Sequence, residues 1–301
     1  MKIIPIYYHL VSNKKNPLVE NLYKHKDIDS FKKDLHALVK KYRILDLADL
    51  KANRKGLVLS FDDGFAECYQ VIFPILKELS IPAFFFVNND FIDNKSMFYR
   101  AKLSLIVSKL GYLNPLIHQQ LAYILECKIT EISERLLAIL DGNNAKIDSL
   151  LTLANIDIDN FLNYRKPYLT SEQIFEMSKA GYYFGGHTHD HLKLTGMTAQ
   201  EQERRIVESS LDISQRFNLD YKLCSLPHND LGISREVFQK VGQKIDYLFG
   251  GYGLNHQPEF NYYQRISNEH SSLRIDRFIN NWKIFHYVTS NVRQARNKFL
   301  K

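Results

Sequence analysis

Short apolar runs alternate with helical periodicities along this chain. Ile3–His9, Leu57–Phe61, Ala83–Val87, Tyr182–Gly185 and Leu223–Leu226 read as buried strands. Between them lie helical patterns. Phe31, Leu35, Leu38 and Val39 share one face at i, i+4, i+7 and i+8, and Ile72, Ile75, Leu76 and Leu79 form a second such stripe. Thr170 with Gln173 and Thr198 with Glu201 have capping-box spacing, and Gly181 stands where a helix would end before a strand. Strands that alternate with helices predict parallel β/α units, in a barrel or a doubly wound sheet.

The rhythm breaks between about Asp93 and Arg165. Leu103, Ile106, Val107 and Leu110 predict a helix, as do Leu116–Leu125 and Ile132–Leu140, with no convincing strand among them. The expected organisation is a single domain, 1–301, carrying a helical insertion over 93–165. That insertion is either a wall or lid on the substrate side or a cap with no role in the chemistry.

Composition narrows the class. With 301 residues, 45% of them hydrophobic and 24% charged, the chain can bury a full core, and disorder is excluded. Cys68, Cys127 and Cys224 are odd in number and far apart, so no disulfide framework or CxxC metal site is expected. The N-terminal apolar run is short and broken by Pro5 and His9, and no stretch approaches a membrane span, which predicts a cytoplasmic protein. The net charge of +7 suits a polyanionic neighbour but is thinly spread. No Lys/Arg stripe with interleaved aromatics supports nucleic-acid binding. The basic segment Val292–Lys301 could touch an anionic membrane, or could simply complement a helix C-terminus.

Two segments carry candidate chemistry. Leu57-Val58-Leu59-Ser60-Phe61 runs into Asp62-Asp63-Gly64, so a strand ends in adjacent carboxylates and a turn-forming glycine. In parallel β/α folds, ligands meet the carboxyl ends of the strands. Two carboxylates so close repel, which invites a cation or a shared proton. The second segment is Gly185-Gly186-His187-Thr188-His189-Asp190-His191, in which His187 and His191 have a spacing that suits one metal ion. With an aspartate added, the donor set is His2Asp with open positions, a catalytic rather than a structural zinc pattern.

Together these segments resemble the polysaccharide deacetylase family, the NodB-homology hydrolases of carbohydrate esterase family 4. Ser60–Gly64 matches its [ST]-F-D-D-G motif, and His187–His191 with Leu194 matches H-[ST]-x-x-H-x-x-L. Pro82–Val87 and Ala180-Gly181-Tyr182 support the match. The resemblance implies a distorted (β/α)7-type barrel and a metal-dependent hydrolase that removes the N-acetyl group of an amino sugar. It implies that Asp63, His187 and His191 hold a divalent metal, usually Zn2+, and that Asp62 is the general base. N-deformylation of an amino sugar is a close alternative. A catalytically silent glycan-binding relative is another.

The general acid is a departure, because the family's late L-x-H motif has no good copy here; His286 is a poor substitute. Ile4-Pro5-Ile6-Tyr7-Tyr8-His9 resembles the opening strand of the circularly permuted branch, which includes poly-N-acetylglucosamine deacetylases, and so implies His9 as the acid. The alternative is a core histidine ending the first strand. The third motif is altered too. Ser225-Leu226-Pro227-His228-Asn229 stands for R-x-P-[YFW]-G and lacks its arginine, and Leu273–Phe278 resembles an Arg-bearing final strand, so Arg274 or Arg277 is expected to supply that charge near Asp62. His189 is expected at the rim, and Asp190 as an acceptor for a ligand histidine's second N–H. Asn88, Asn89 and Asp90 are candidate sugar hydrogen-bonders or plain turn residues. Tyr7, Tyr8, Phe65, Tyr252 and Trp282 are candidate stacking groups or core.

Overall fold

The computed structural model describes residues 2–285 except 140, 141, 143, 252, 255 and 270–272. His286, Tyr252 and the basic segment 292–301 lie outside the described residues.

Six parallel strands follow one another across the sheet: β1 (Ile3–Tyr8), β2 (Gly56–Phe61), β3 (Phe84–Val87), β4 (Tyr183–Gly186), β5 (Leu223–Ser225) and β6 (Tyr247–Gly250). The sheet is completed by β7 (Tyr262–Gln264), parallel to β6, and β8 (Ile266–Ser267), parallel to β1. Only Arg265 separates β7 from β8. One extended segment therefore reaches both edges of the sheet, and the barrel is nearly closed by a seventh strand split between two partners. This is the expected (β/α)7-type architecture, reached through three short pairings, β6 to β8, that the apolar pattern did not reveal.

Strand alternation sorts the core into two faces. Val58, Phe84, Phe86, Leu223, Phe249 and Tyr263 form one cluster. Phe86 of β3 and Phe249 of β6 have ring centroids 5.3 Å apart although two strands lie between them, so this face is the barrel interior. Leu57, Leu59, Phe61, Phe85 and Phe184 face outward, against helices that include α1 (Ile28–Lys41). In α1, Phe31, Leu35 and Leu38 are buried as the stripe predicts, but Val39 is 43% exposed, because i+8 falls at the edge of the stripe. The Thr170–Gln173 capping box forms as predicted, whereas Glu201 turns from the Thr198 cap to Arg204 and Arg205.

Within 93–165, between β3 and β4, the described residues form five α-helices, among them α2 (Tyr99–Lys109), Pro115–Leu125 and Ile132–Leu137. Their apolar faces make a cluster of their own, including Leu103, Ile106, Leu121, Leu136 and Leu150. A second cluster, with Phe98, Ala101 and Leu105 of this segment against Leu10, Leu18 and Phe65, seats it on the loops that follow β1 and β2. These helices thus stand on the carboxyl-end face of the barrel, where α/β barrels place their chemistry.

Candidate active site

Alternation places Val58, Ser60 and Asp62 on the interior side of β2. Asp63 and Gly64 then adopt left-handed backbone, φ 69° and 66°, which turns the second carboxylate into the same cavity. Glycine is required at 64, because a Cβ there would lie 2.9 Å from the Val87 side chain. On β4, a Cβ at Gly185 would meet the Leu223 carbonyl oxygen at 2.5 Å, and one at Gly186 would meet Ser209. The glycine pair lets β5 and the helix Ala199–Arg216 close on β4 just before His187. Thr188 (φ 59°) and His191 (φ 58°) make the tight left-handed turns that bring both imidazoles to one side, a backbone cost often found at functional sites.

The cavity, about 190 Å³, is lined by His9, Asp62, Asp63, His187, His191, Arg265, Tyr7, Tyr23, Phe98, Arg100 and His228 among others. Asp63, His187 and His191 are buried, and their donor atoms lie within 4.8 Å of one another. Three ligand atoms each about 2.1 Å from one tetrahedral ion would stand about 3.4 Å apart. Asp63 Oδ1 lies 3.5 Å from His187 Nε2 and 3.2 Å from His191 Nε2. The same Oδ1 is buried without a hydrogen-bond partner. The His187 Nδ1–H donates to the Ser225 carbonyl at 2.9 Å, which leaves the Nε2 lone pair facing Asp63. The set fits a divalent transition metal. Burial alone would raise the Asp63 pKa, but His191, His9 and His187 outweigh it and hold the carboxyl well below its ordinary range. Burial lowers His187 to about 4, keeping it neutral.

Asp62 faces a different partner. Arg265 Nη1 donates to Asp62 Oδ1 at 2.7 Å and Nη2 to Oδ2 at 2.6 Å, a bidentate pair with both groups buried. Arg265 also donates to Ser60, Ser225 and the Gly250 carbonyl, and lies over the Tyr7 ring at 4.5 Å. Burial pushes the Asp62 carboxyl up, but the Arg265 charge, with His187 and His9, more than offsets it, so the group is held ionised. Arg265 therefore occupies the place expected of Arg274 or Arg277, and that expectation is corrected. Residues 275–285 are helical rather than a strand, Arg274 pairs with Asp276 in the open, and Arg277 is exposed. The missed signal is a lone arginine in the run Tyr262-Tyr263-Gln264-Arg265-Ile266, where a cation among strand-formers needs a buried partner.

His9 ends β1 across the cavity. Its Nδ1 is 2.6 Å from Glu269 Oε2, and its backbone N–H donates to Oε1 at 2.7 Å. Burial would lower its pKa, but the Glu269 charge and hydrogen bond dominate and raise it to about 9. Sequence reasoning missed Glu269 as well. His228 reaches the cavity on a left-handed residue (φ 59°), with its ring centroid 4.8 Å from that of His191. Burial, with His191 and Arg100 nearby, lowers it to about 3.

His189 sits at the rim as expected, beside Asp212. Other expectations are corrected: Asp190 accepts from Arg205 rather than from a ligand histidine. Asn88 donates to the His187 carbonyl, and Asn89 bonds Ser209, so both brace the backbone instead of facing sugar. Phe65 is buried in a stack on Tyr168, Tyr8 is buried against Phe31 and Phe61, and Trp282 packs on Phe278; Tyr7 alone of the described stacking candidates lines the cavity.

The family model for polysaccharide deacetylases matches residues 49–111 and 122–247, well over half of the sequence. The chain belongs to the polysaccharide deacetylase family. The curated relative YxkH of Bacillus subtilis (strain 168), itself assigned to polysaccharide deacetylases only provisionally, is 33% identical over 85 residues. That match spans 28% of this chain and 29% of the relative. Among solved structures, the Streptococcus pyogenes deacetylase PplD in complex with acetate superposes with a TM-score of 0.56 at 16% identity, covering 89% of this chain and 92% of that one. A de-N-acetylase from Aggregatibacter actinomycetemcomitans superposes with a TM-score of 0.55 at 16% identity, covering 94% and 100%. At these identities the superpositions establish the shared barrel. Among its described residues no helix is long and apolar enough to cross a membrane.

Proposed function

We propose that this polysaccharide deacetylase is a metal-dependent N-deacetylase of an amino sugar, with Asp63, His187 and His191 as the metal ligands, Asp62 as general base and His9 as general acid. The observation that carries the reading is the division of labour between adjacent carboxylates. Asp63 Oδ1 faces two imidazoles with no hydrogen bond of its own, while both oxygens of Asp62 are held by Arg265. A bound Zn2+ would supply Lewis-acid polarisation of the acyl oxygen and lower the pKa of the attacking water.

The chain's own groups account for the protons. Asp62 takes one from water as the water oxygen bonds to the acetamide carbon. The C–N bond then breaks, and the departing nitrogen takes the proton on His9 Nε2, leaving acetate and an amine. Glu269 fixes the His9 ring through Nδ1, which turns Nε2 to the cavity, and a pKa raised to about 9 keeps the acid loaded at neutral pH. The price of the Asp62–Arg265 pair is a weaker base; the gain is one fixed orientation. A cavity of about 190 Å³ is smaller than the ~300–1,000 Å³ of whole-ligand pockets, and suits an acetamido group with part of one sugar ring.

The test is acetate release from N-acetylglucosamine glycosides and oligomers by the zinc-loaded protein, with N-formyl analogues in parallel. Release that stops on chelation and returns with Zn2+ is expected. Faster turnover of the formamide would reassign the reaction as deformylation. A zinc-loaded protein that binds these sugars without hydrolysing them would overturn the enzyme reading.

A further inference from the structure

One charge in the cavity has no counterpart. Asp62 is paired with Arg265 and His9 with Glu269, and Asp63 belongs with the two imidazoles of the proposed metal set. Arg100 also lines this cavity, half-buried, and no carboxylate pairs with it among the described residues. The cavity is also lined by the aromatic and apolar side chains of Phe98, Leu22 and Tyr23 and by His228. The Arg100 charge also acts on His228, where it adds to burial and His191 in lowering the imidazole's pKa.

The position is also a poor one for the helix that carries it. Arg100 is the second residue of α2, where the macrodipole already places positive potential; Phe98 provides no side-chain cap, and the first turn holds no acidic residue. Helix stability would favour Asp or Glu there. A local rule broken at a residue that lines the cavity, with no ion-pair partner among the described residues, marks a functional residue. Arginine is suited to such a task, because its planar fork of donors grips carboxylate or phosphate oxygens in pairs.

We propose that Arg100 selects for an anionic group, phosphate or carboxylate, borne by the sugar whose acetamide enters the cavity. This rests on the deacetylase reading above and narrows its substrate class: an acidic or phosphorylated amino sugar is preferred over a neutral one. The arginine is a specificity residue and takes no part in bond breaking.

Calorimetric titration of the zinc-loaded protein tests this without needing turnover. The probes are N-acetylglucosamine, N-acetylglucosamine 1-phosphate and N-acetylmuramic acid, so the two arms distinguish a phosphate from a carboxylate. The wild type is expected to bind at least one anionic probe about tenfold or more tighter than the neutral sugar, and Arg100→Gln is expected to reduce that ratio to near one. Arg100→Lys should keep part of it. Equal affinity for all three probes in the wild type would overturn the proposal, as would a preference that survives in Arg100→Gln, since the metal or another cation would then be its source. Acetate release measured alongside separates this from failure of the deacetylase reading: hydrolysis of neutral and anionic sugars at equal kcat/KM defeats Arg100 alone, while sugar binding without hydrolysis defeats the reaction.

Discussion

The two sides of the cavity are built in different ways. On the β2 and β4 side, the reactive groups come from two short continuous segments, Asp62-Asp63-Gly64 and His187–His191, each shaped by left-handed turns and by glycines that allow close approach. On the closing side, a single extended segment, 262–269, supplies no group of those motifs. It supplies their partners instead: Arg265 for Asp62, 203 residues away in sequence, and Glu269 for His9, 260 residues away. Reactivity is thus encoded locally, and the protonation and orientation of the reactive groups are set by distant chain. Ser225, which stands where the resembled third motif has arginine, accepts from Arg265, so the charge comes instead from the segment that closes the barrel.

The comparison can be broken most severely on the motif side. His187→Ala should lose bound metal and reduce acetate release to background, read by metal analysis and a turnover assay. Asp62→Asn should cost about 10²–10⁴ in kcat while metal is retained. On the closing side, Arg265→Gln leaves a buried carboxylate without its partner, so unfolding should become easier by about 3–5 kcal/mol in denaturant melts. Its activity should fall as well, whereas an arginine that only supported the fold would leave the acidic limb of the pH profile in place.

Glu269→Gln is a gentler break. With the His9 pKa raised from its ordinary 6.5 to about 9, the proposed acid should be loaded at neutral pH and activity should fall as pH rises past about 9. The sign for stability is the same: the His9–Glu269 contribution is complete below about pH 6.5 and is lost as pH rises through about 9. The variant should move the basic limb of the activity profile down toward 6.5 and flatten the pH dependence of the melting temperature over that window. His9→Ala should slow amide cleavage much more than cleavage of an activated ester, whose leaving group needs no proton. The smallest effect is expected for Arg274→Ala, which removes an exposed pair and should change stability by no more than about 0.5 kcal/mol, with turnover unaffected.

The same contrast explains what the sequence disclosed. β1 to β5, the helical stretch after β3 and the candidate donors were legible because each is written in a continuous run with a recognisable period or spacing. β7 and β8 mix Tyr262, Tyr263 and Ile266 with Gln264, Arg265 and Ser267, so no apolar run marks them, and β6 is a bare Tyr247-Leu248-Phe249-Gly250 with no helical pattern leading out of it to the next strand. Arg265 and Glu269 were invisible because their meaning is the partner they meet across the closed barrel, and a single chain read in order does not state that meeting. Arg274 is suggested by the likeness of 273–278 to an Arg-bearing final strand, yet it stands at the start of a helix and finds Asp276 in the open. Asp190 was misjudged for a related reason: its neighbour in sequence is a candidate ligand, but its neighbour in space is Arg205.

The central claim is that two adjacent carboxylates have separate duties, one toward a metal ion and one toward a proton. Metal content of purified Asp62→Asn and Asp63→Asn, measured side by side by mass spectrometry after identical zinc loading, tests it most directly. The account predicts one zinc per chain in Asp62→Asn and little or none in Asp63→Asn, with hydrolysis absent from both. Equal zinc in the two variants, or loss from Asp62→Asn alone, would contradict it.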